Sequence, residues 1–288
     1  MTIKIASRSS KLAIAQVEEF VQSCEISDYE IIKVKTEGDK KSAKGEMLFD
    51  KAHFVTDVQK YLIDGKADIA VHSAKDTPSI ETPGISRNFL LPKSQKDVLI
   101  FNRDNKFEKS MKLGTSSLRR QLQAKHHLEA SNVSNLSGNI DTRLEKLFKG
   151  EYDCIILAKA GLERLGLLNQ LTYKDMNWAT ASGQGYLALE FKEKNSYSYD
   201  KKNNQFEDYF KSLLDHEVGS KIDTERLVLS NIGANCNSAI SIKTNSQNEI
   251  FGEIYGINKY IYFSGQNEFE VIDSIKKQDG LYLLNEHN

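Results

Sequence analysis

The first two thirds of the chain alternate short β-rich runs with stretches whose apolar residues recur every three or four positions, and this alternation constrains the fold most. Ile3 to Ala6 reads as a strand. Ser10 can then cap a helix whose Ala13, Val17, Phe20 and Val21 share one face. Tyr29 to Val34 is the next strand. A helix with Phe54, Val58, Tyr61 and Leu62 on one side follows, then a buried strand from Ala67 to His72. Strands at Val98 to Phe101, Lys112 to Gly114, Val133 to Leu136 and Cys154 to Ala158 continue the series, with helices expected at 118–128, 142–148 and 161–165. Parallel strands need a crossover between them, and a helix supplies it, so the pattern predicts α/β layers with mixed, largely parallel sheets. Pro78, Pro83 and Pro92 are the only prolines and fall in one stretch, which predicts a loop and crossover between two α/β halves. Lys192 to Asn204 is polar and predicts a linker. Beyond about Asp215 one helix is followed by IFGEIYGI, KYIYFSG and FEVID, read as antiparallel strands of a small α+β domain. A chain of 288 residues exceeds what one core usually organises, in keeping with several domains.

Thirty-nine Lys and Arg face 40 Asp and Glu, a formal net charge of −1, which argues against nucleic acid or an anionic membrane as the main partner. A local basic cleft set against an acidic remainder stays open. No run approaches the roughly 18 apolar residues that cross a bilayer. The apolar stretches of the first twenty residues are broken by Arg8, Lys11, Gln16, Glu18 and Glu19, unlike a signal peptide. Cys24, Cys154 and Cys236 are too few for a disulfide framework and lack zinc-site spacing, so no metal is expected. These features predict a cytoplasmic protein with no membrane or nucleic-acid partner.

Five segments place polar or charged groups where strands end and helices begin, the place where open α/β sheets bind ligands. Arg8, in Ala6-Ser7-Arg8-Ser9-Ser10, suits an anion beside a helix N-terminus, or is a solvated loop arginine. His72, Lys75 and Asp76 end a buried strand; the Lys–Asp neighbours are either a site or a surface ion pair. Gly114-Thr115-Ser116-Ser117-Leu118-Arg119-Arg120 joins a glycine and three hydroxyls to two arginines in a helix's first turn. Arginines there oppose the helix dipole, so local helix stability does not explain them, and a bound carboxylate or phosphate would. Ser137-Gly138-Asn139-Ile140-Asp141-Thr142-Arg143 repeats the strand–glycine–helix theme. Arg164, in Ala160-Gly161-Leu162-Glu163-Arg164, is either a further ligand or a helix-surface residue. So many cations at corresponding strand ends imply a polyanionic ligand. Cys154 sits in an apolar strand and Cys24 at the end of an amphipathic helix, whereas Cys236 follows Gly233-Ala234-Asn235 among small polar residues. That setting predicts a loop thiol open to exposure, reactive or unremarkable.

Taken in order, ADIAVHSAKDTPS, GTSSLRRQLQ, GNIDTRL, DCIILAKAGLERLGL, SGQGYLALE and TERLVLSNIGANC resemble the hydroxymethylbilane synthase (porphobilinogen deaminase) family over essentially the whole chain. The resemblance implies two periplasmic-binding-protein-like (type 2) α/β domains, 1–92 with 185–210 and 97–180, and an α+β domain, 216–288, that presents the cysteine. It implies a dipyrromethane cofactor held by a thioether to Cys236. Four porphobilinogen units would add in turn with loss of ammonia, and water would release the linear tetrapyrrole. It also implies a monomer. Asp76 matches the family's catalytic aspartate. Ser73, Lys75, Thr115, Ser116, Ser117, Arg119 and Arg120 match cofactor contacts. Arg8, Ser10, Lys51, Phe54, Arg143, Arg164 and Gln184 match substrate contacts. The chain departs from the family where Ser137 stands for a usual arginine and where Ala234-Asn235 replace a glycine pair that could require positive φ. The lid segment 36–51 departs at Met47 and at Phe49-Asp50. A two-lobed solute-binding domain without catalysis would explain the arginines but not Cys236 or Asp76, and a degenerate synthase is a third reading. Neither a Walker-type nor a GxGxxG pattern favours a nucleotide enzyme.

Overall fold

The computed structural model describes residues 2–36, 52–103, 106–193, 216–235 and 237–287. Lys51, Cys236, all of the lid segment except Thr36, and the expected linker beyond Glu193 lie outside these residues.

Three sheets organise the chain. The first has the order β2-β1-β3-β10-β4, built from β1 (Ile3–Arg8), β2 (Tyr29–Val34), β3 (Ile69–Ser73), β4 (Ile85–Leu90) and β10 (Leu187–Lys192). The second runs β7-β6-β8-β5-β9, from β5 (Asp97–Phe101), β6 (Leu113–Gly114), β7 (Val133–Ser134), β8 (Cys154–Ala158) and β9 (Tyr173–Asp175). In the first sheet β1 pairs in parallel with β2 and β3, while β10 pairs antiparallel with β3 and β4. In the second, β6 is parallel to β7 and β8, and β5 is antiparallel to β8 and β9. The sheets are therefore mixed, and the antiparallel pairs arise where the chain leaves one sheet for the other and returns.

Both large sheets bury both faces, as their near-continuous apolar strands require. Ile3, Ile5, Ile69 and Val71 pack with Val17, Phe20 and Val21 of α1 (Lys11–Ser23). The alternate residues Ala6 and Ala70 pack with Val58 and Leu62 of α2 (Ala52–Ile63). In the second sheet Leu99, Phe101, Cys154 and Ile156 pack with Ala124 of α3 (Leu118–Leu128). Val98, Ile100, Ile155 and Leu157 face Leu144 and Leu147 of α4 (Ile140–Phe148) and Leu162 of α5 (Lys159–Arg164). Ser10 caps α1, its hydroxyl accepting from the Ala13 amide at 3.2 Å.

The third sheet, β11 (Ile240–Thr244), β12 (Ile250–Tyr255) and β13 (Tyr260–Gly265), is an antiparallel meander. One face is covered by α6 (His216–Asn231), α7 (Glu268–Lys277) and α8 (Gly280–Asn285) through Val228, Val271, Ile275 and Leu283. Several expectations change here. FEVID belongs to α7: Asn267 caps that helix by accepting from the Glu270 amide, and Val271 and Ile275 share a buried face four residues apart. Between Pro83 and Pro92 runs β4, because a strand at the sheet's edge tolerates prolines just outside its ends. Val133 to Leu136 shortens to the two-residue β7, and β9, β10 and β11 are strands beyond those expected.

Two crossovers, 91–96 and 176–186, run side by side between the large sheets. The Lys93 amide donates to Gly185 O at 3.0 Å. A Cβ on Gly185, whose φ is +98°, would lie 2.7 Å from Lys93 O, so only glycine allows this approach.

Candidate functional site

The segments that follow β3 and β6 open on one cleft. Its lining comes from all three sheets. Lys75, Asp76, Thr77 and Ser79 follow β3. Ser117, Arg119 and Arg120 open α3. Ala181, Ser182 and Gln184 belong to the returning crossover. Arg226 and Leu229 lie on α6, with Asn235, Ser238, Ile240 and Ile242 beyond it. Residue 236 lies outside the described residues, but Asn235 and Ser238 on either side of it face the same cleft as Asp76.

Arg119 and Arg120, 5% and 6% exposed, share one buried carboxylate. Asp97, at the head of β5, accepts from Arg119 Nη1 at 3.0 Å and from Arg120 Nη2 at 2.7 Å. It also accepts from Gln184 Nε2 at 2.8 Å and Trp178 Nε1 at 3.2 Å. Burial alone would raise the Asp97 carboxyl, but Arg120, Arg119 and the hydrogen bonds outweigh it and hold the group well below the usual carboxylate range. Two guanidiniums on one carboxylate leave a net positive charge in a dry place. Arg120 Nε is buried with no hydrogen-bond partner among the described residues. Such a donor fits an incoming anion. Gln184 Oε1 accepts from Arg120 Nη2 at 3.3 Å and from Lys75 Nζ at 3.4 Å, so one amide ties the lysine to the arginine pair.

Asp76 ends a 3-10 turn, Ala74–Asp76, directly after β3. Arg143 on α4 donates through Nε to Gly138 O at 2.7 Å. Burial and the neighbouring Arg120 push Arg143 down to about 10, Asp76 opposes that shift, and Arg8 adds to it. Arg8, Asp76 and Arg120 therefore all lie close enough for their charges to act on Arg143. Ser79 Oγ donates to Ala234 O at 3.3 Å, which joins the aspartate loop to the loop leading into residue 236. The positive φ in that second loop belongs to Gly233, at +69°; Ala234 and Asn235 are not in the left-handed region. The departure from a glycine pair thus leaves no strain at those two positions.

Other residues singled out in the sequence fall in varied places. Thr115 is buried and its hydroxyl accepts from the Ser117 amide at 3.3 Å; Ser116 beside it is half-buried. Ser73 Oγ accepts from Gln16 Nε2 at 2.8 Å, at the edge of the site. Arg164 is not brought into the cleft. Its Nε donates to Glu19 at 2.7 Å, and its Nη2 donates to Leu91 O at 2.8 Å and Gly185 O at 3.0 Å. It lies at the crossovers because α5 packs against α1 there. Phe54 is in α2, but its side chain, like Lys51 and Cys236, lies outside the described residues. Sequence reasoning missed Asp97 and Arg226. The signal for Asp97 was an acidic residue at the head of the apolar run Val98 to Phe101. Arg226 falls within TERLVLSNIGANC, but nothing set it apart there from an ordinary helical pattern.

A family profile described as "Porphobilinogen deaminase, dipyromethane cofactor binding domain" matches residues 3–200. A "Probable porphobilinogen deaminase" of Ignicoccus hospitalis is 38% identical over 251 residues, covering 82% of this chain and 79% of that protein. One of Picrophilus torridus is 32% identical over 287 residues and 95% of both chains. Among solved structures, an amino acid ABC transporter substrate-binding protein from Streptococcus pneumoniae aligns with TM-score 0.40 at 13% identity, over 81% of this chain and 89% of that one.

Proposed function

Since the chain belongs to the porphobilinogen deaminase family and is thereby a transferase of porphyrin synthesis with a dipyrromethane cofactor site, we propose that it condenses four porphobilinogen units with loss of ammonia and releases the linear tetrapyrrole by hydrolysis. One observation carries this reading: the Asp76 turn, the Arg119–Arg120 pair and both flanks of Cys236 line a single cleft. The covalent dipyrromethane would be held by Cys236 and would supply the primer on which the product grows. Arg119, Arg120 and Lys75 would hold its carboxylates, with Ser73, Thr115, Ser116 and Ser117 as hydroxyl or backbone contacts.

Each pyrrole carries two carboxylates, so the growing chain adds negative charge that cations must answer. A hydrogen bond to a charged group is worth roughly 1.5–3 kcal/mol net. Arg8, Arg143, Lys51 and Gln184 would take the carboxylates of incoming rings, Ser10 would add a hydroxyl contact to them, and Phe54 would pack on a ring. Asp76 would stabilise positive charge that develops on a pyrrole during deamination and ring attack, and would carry protons between ring positions. In this reading 1–92 with 185–210 and 97–180 form two lobes around the cleft, and 216–288 presents the thiol. The enzyme would act as a cytoplasmic monomer on porphobilinogen and the polypyrrole alone. Balanced charge supports this, as does the fact that no helix of the described residues is long and apolar enough to cross a membrane.

The intact mass tests the assignment. Protein made in a host that supplies porphobilinogen should exceed its sequence mass by two pyrrole units, with the excess on the peptide that holds Cys236. An unmodified chain, or the excess on another residue, refutes the assignment.

A further inference from the structure

Arg226 stands outside the segment matched by the family profile and, although it falls within TERLVLSNIGANC, is not among the residues that the resemblance matched to a role. It is 5% exposed, although an arginine is costly to bury unless its donors are used. Its hydrogen bonds do not go to a carboxylate. Nη2 donates to Ala74 O at 2.5 Å and to Thr77 Oγ1 at 2.8 Å, and Nη1 donates to Pro78 O at 2.7 Å. These three acceptors bracket Asp76, and none of them is Asp76 itself. Thr77 closes the bracket by donating its hydroxyl to Ala74 O at 2.7 Å. Arg87 Nη1 supports the same Pro78 carbonyl at 2.9 Å, and the Arg226 guanidinium lies 4.8 Å from the centre of the Phe89 ring. Burial, with Arg87 close by, lowers Arg226 to about 9. The side chain comes from α6, so a helix of the third sheet grips the turn that carries the acid.

We propose that Arg226 is a positioning residue: it clamps the backbone on both sides of Asp76 so that the carboxylate meets the reacting ring at a fixed place. The proposal rests on the catalytic reading of Asp76. Arginine suits the task because its planar fork reaches acceptors on both sides at once, which a single ammonium does less well. Misplacing a reacting group by about an ångström can cost on the order of 100-fold in rate.

The test uses cofactor-loaded protein, verified by intact mass, with Arg226→Gln, Arg226→Lys and Thr77→Val. For Arg226→Gln, kcat should fall on the order of 100-fold while KM for porphobilinogen stays within about twofold. Arg226→Lys should recover part of the loss. Thr77→Val, which removes one strut of the clamp, should lower kcat by about tenfold and decides the matter if neither Arg226 variant folds. Loaded, folded variants with kcat within twofold of the parent, or a rise in KM with kcat intact, overturn the proposal. An Asp76→Ala control separates the two ideas. Normal turnover by that variant sinks the catalytic reading itself, whereas its loss alongside normal Arg226 and Thr77 variants sinks only the clamp.

Discussion

Asp97 decides the character of the site at the scale of a single residue. Without it, two consecutive arginines would sit buried beside each other at a helix start that already disfavours cations. With it, one charge is neutralised, both guanidiniums are oriented, and the pair still favours an anion. Asp97→Asn would leave an uncompensated buried charge, a change that typically costs about 3–5 kcal/mol. The carboxyl is held below its unfolded value of 3.8, so its contribution is complete above that pH and declines as pH falls below it. Denaturant titrations of parent and Asp97→Asn should therefore differ most at neutral pH and converge in acid. A constant gap at every pH would show that the charge is not what matters. The arginines were legible in the sequence because they break a local rule. Their partner was not, because Asp97 meets them only when β5 and α3 pack.

Among the elements, α3 carries the most. Its limits, Leu118–Leu128, follow from helical periodicity, and its first turn delivers Arg119 and Arg120. What holds its middle is tertiary. Gln123 accepts from Arg119 Nη1 at 2.5 Å, and its amide donates to Ala179 O at 2.8 Å and to the Tyr255 hydroxyl at 2.9 Å. The Tyr255 hydroxyl in turn donates to Glu253, which also pairs with His127 at 3.3 Å. A strand of the third sheet thus helps to orient an arginine of the second. Tyr255→Phe removes the acceptor and leaves a buried amide proton unpaired, which should cost about 1–3 kcal/mol. Calorimetry should show that loss of stability together with weaker binding of porphobilinogen, read as a higher KM. Unchanged stability and KM would mean that Gln123 orients Arg119 without help from β12. The misread FEVID belongs to this scale too. Five residues do not separate a strand from one helical turn until the cap at Asn267 and the packing of Val271 against the sheet are known.

For the whole molecule the relevant feature is the pair of crossovers between the large sheets. Arg164 of α5 and Lys93 both pair with Glu19 of α1, at 2.7 and 3.0 Å, and Arg164 also caps the carbonyls of Leu91 and Gly185. The two halves are thus pinned beside the cleft rather than only by the connecting chain. Glu19→Gln removes the acid that Arg164 and Lys93 share and should let the halves part more readily. A partly exposed pair is worth up to about 1 kcal/mol, so KM should rise roughly fivefold with kcat retained. A fall in kcat with KM unchanged would point instead to a role in the chemistry.

The sequence alone determined the alternation that makes two α/β sheets, the basic residues at the ends of β1, β3 and β6, and a set of motifs specific enough to name a family. These are properties of short windows: periodicity sets burial, and a few adjacent residues set a turn or a cap. The tertiary structure decided where the long side chains point. It turned Arg164 from the cleft to the crossovers, gave Arg119 and Arg120 their common carboxylate, and sent Arg226 across 149 positions to Thr77 beside the acid. A guanidinium reaches several ångströms beyond its own backbone, and its direction follows from whichever buried acceptors the packing of distant elements leaves within that reach.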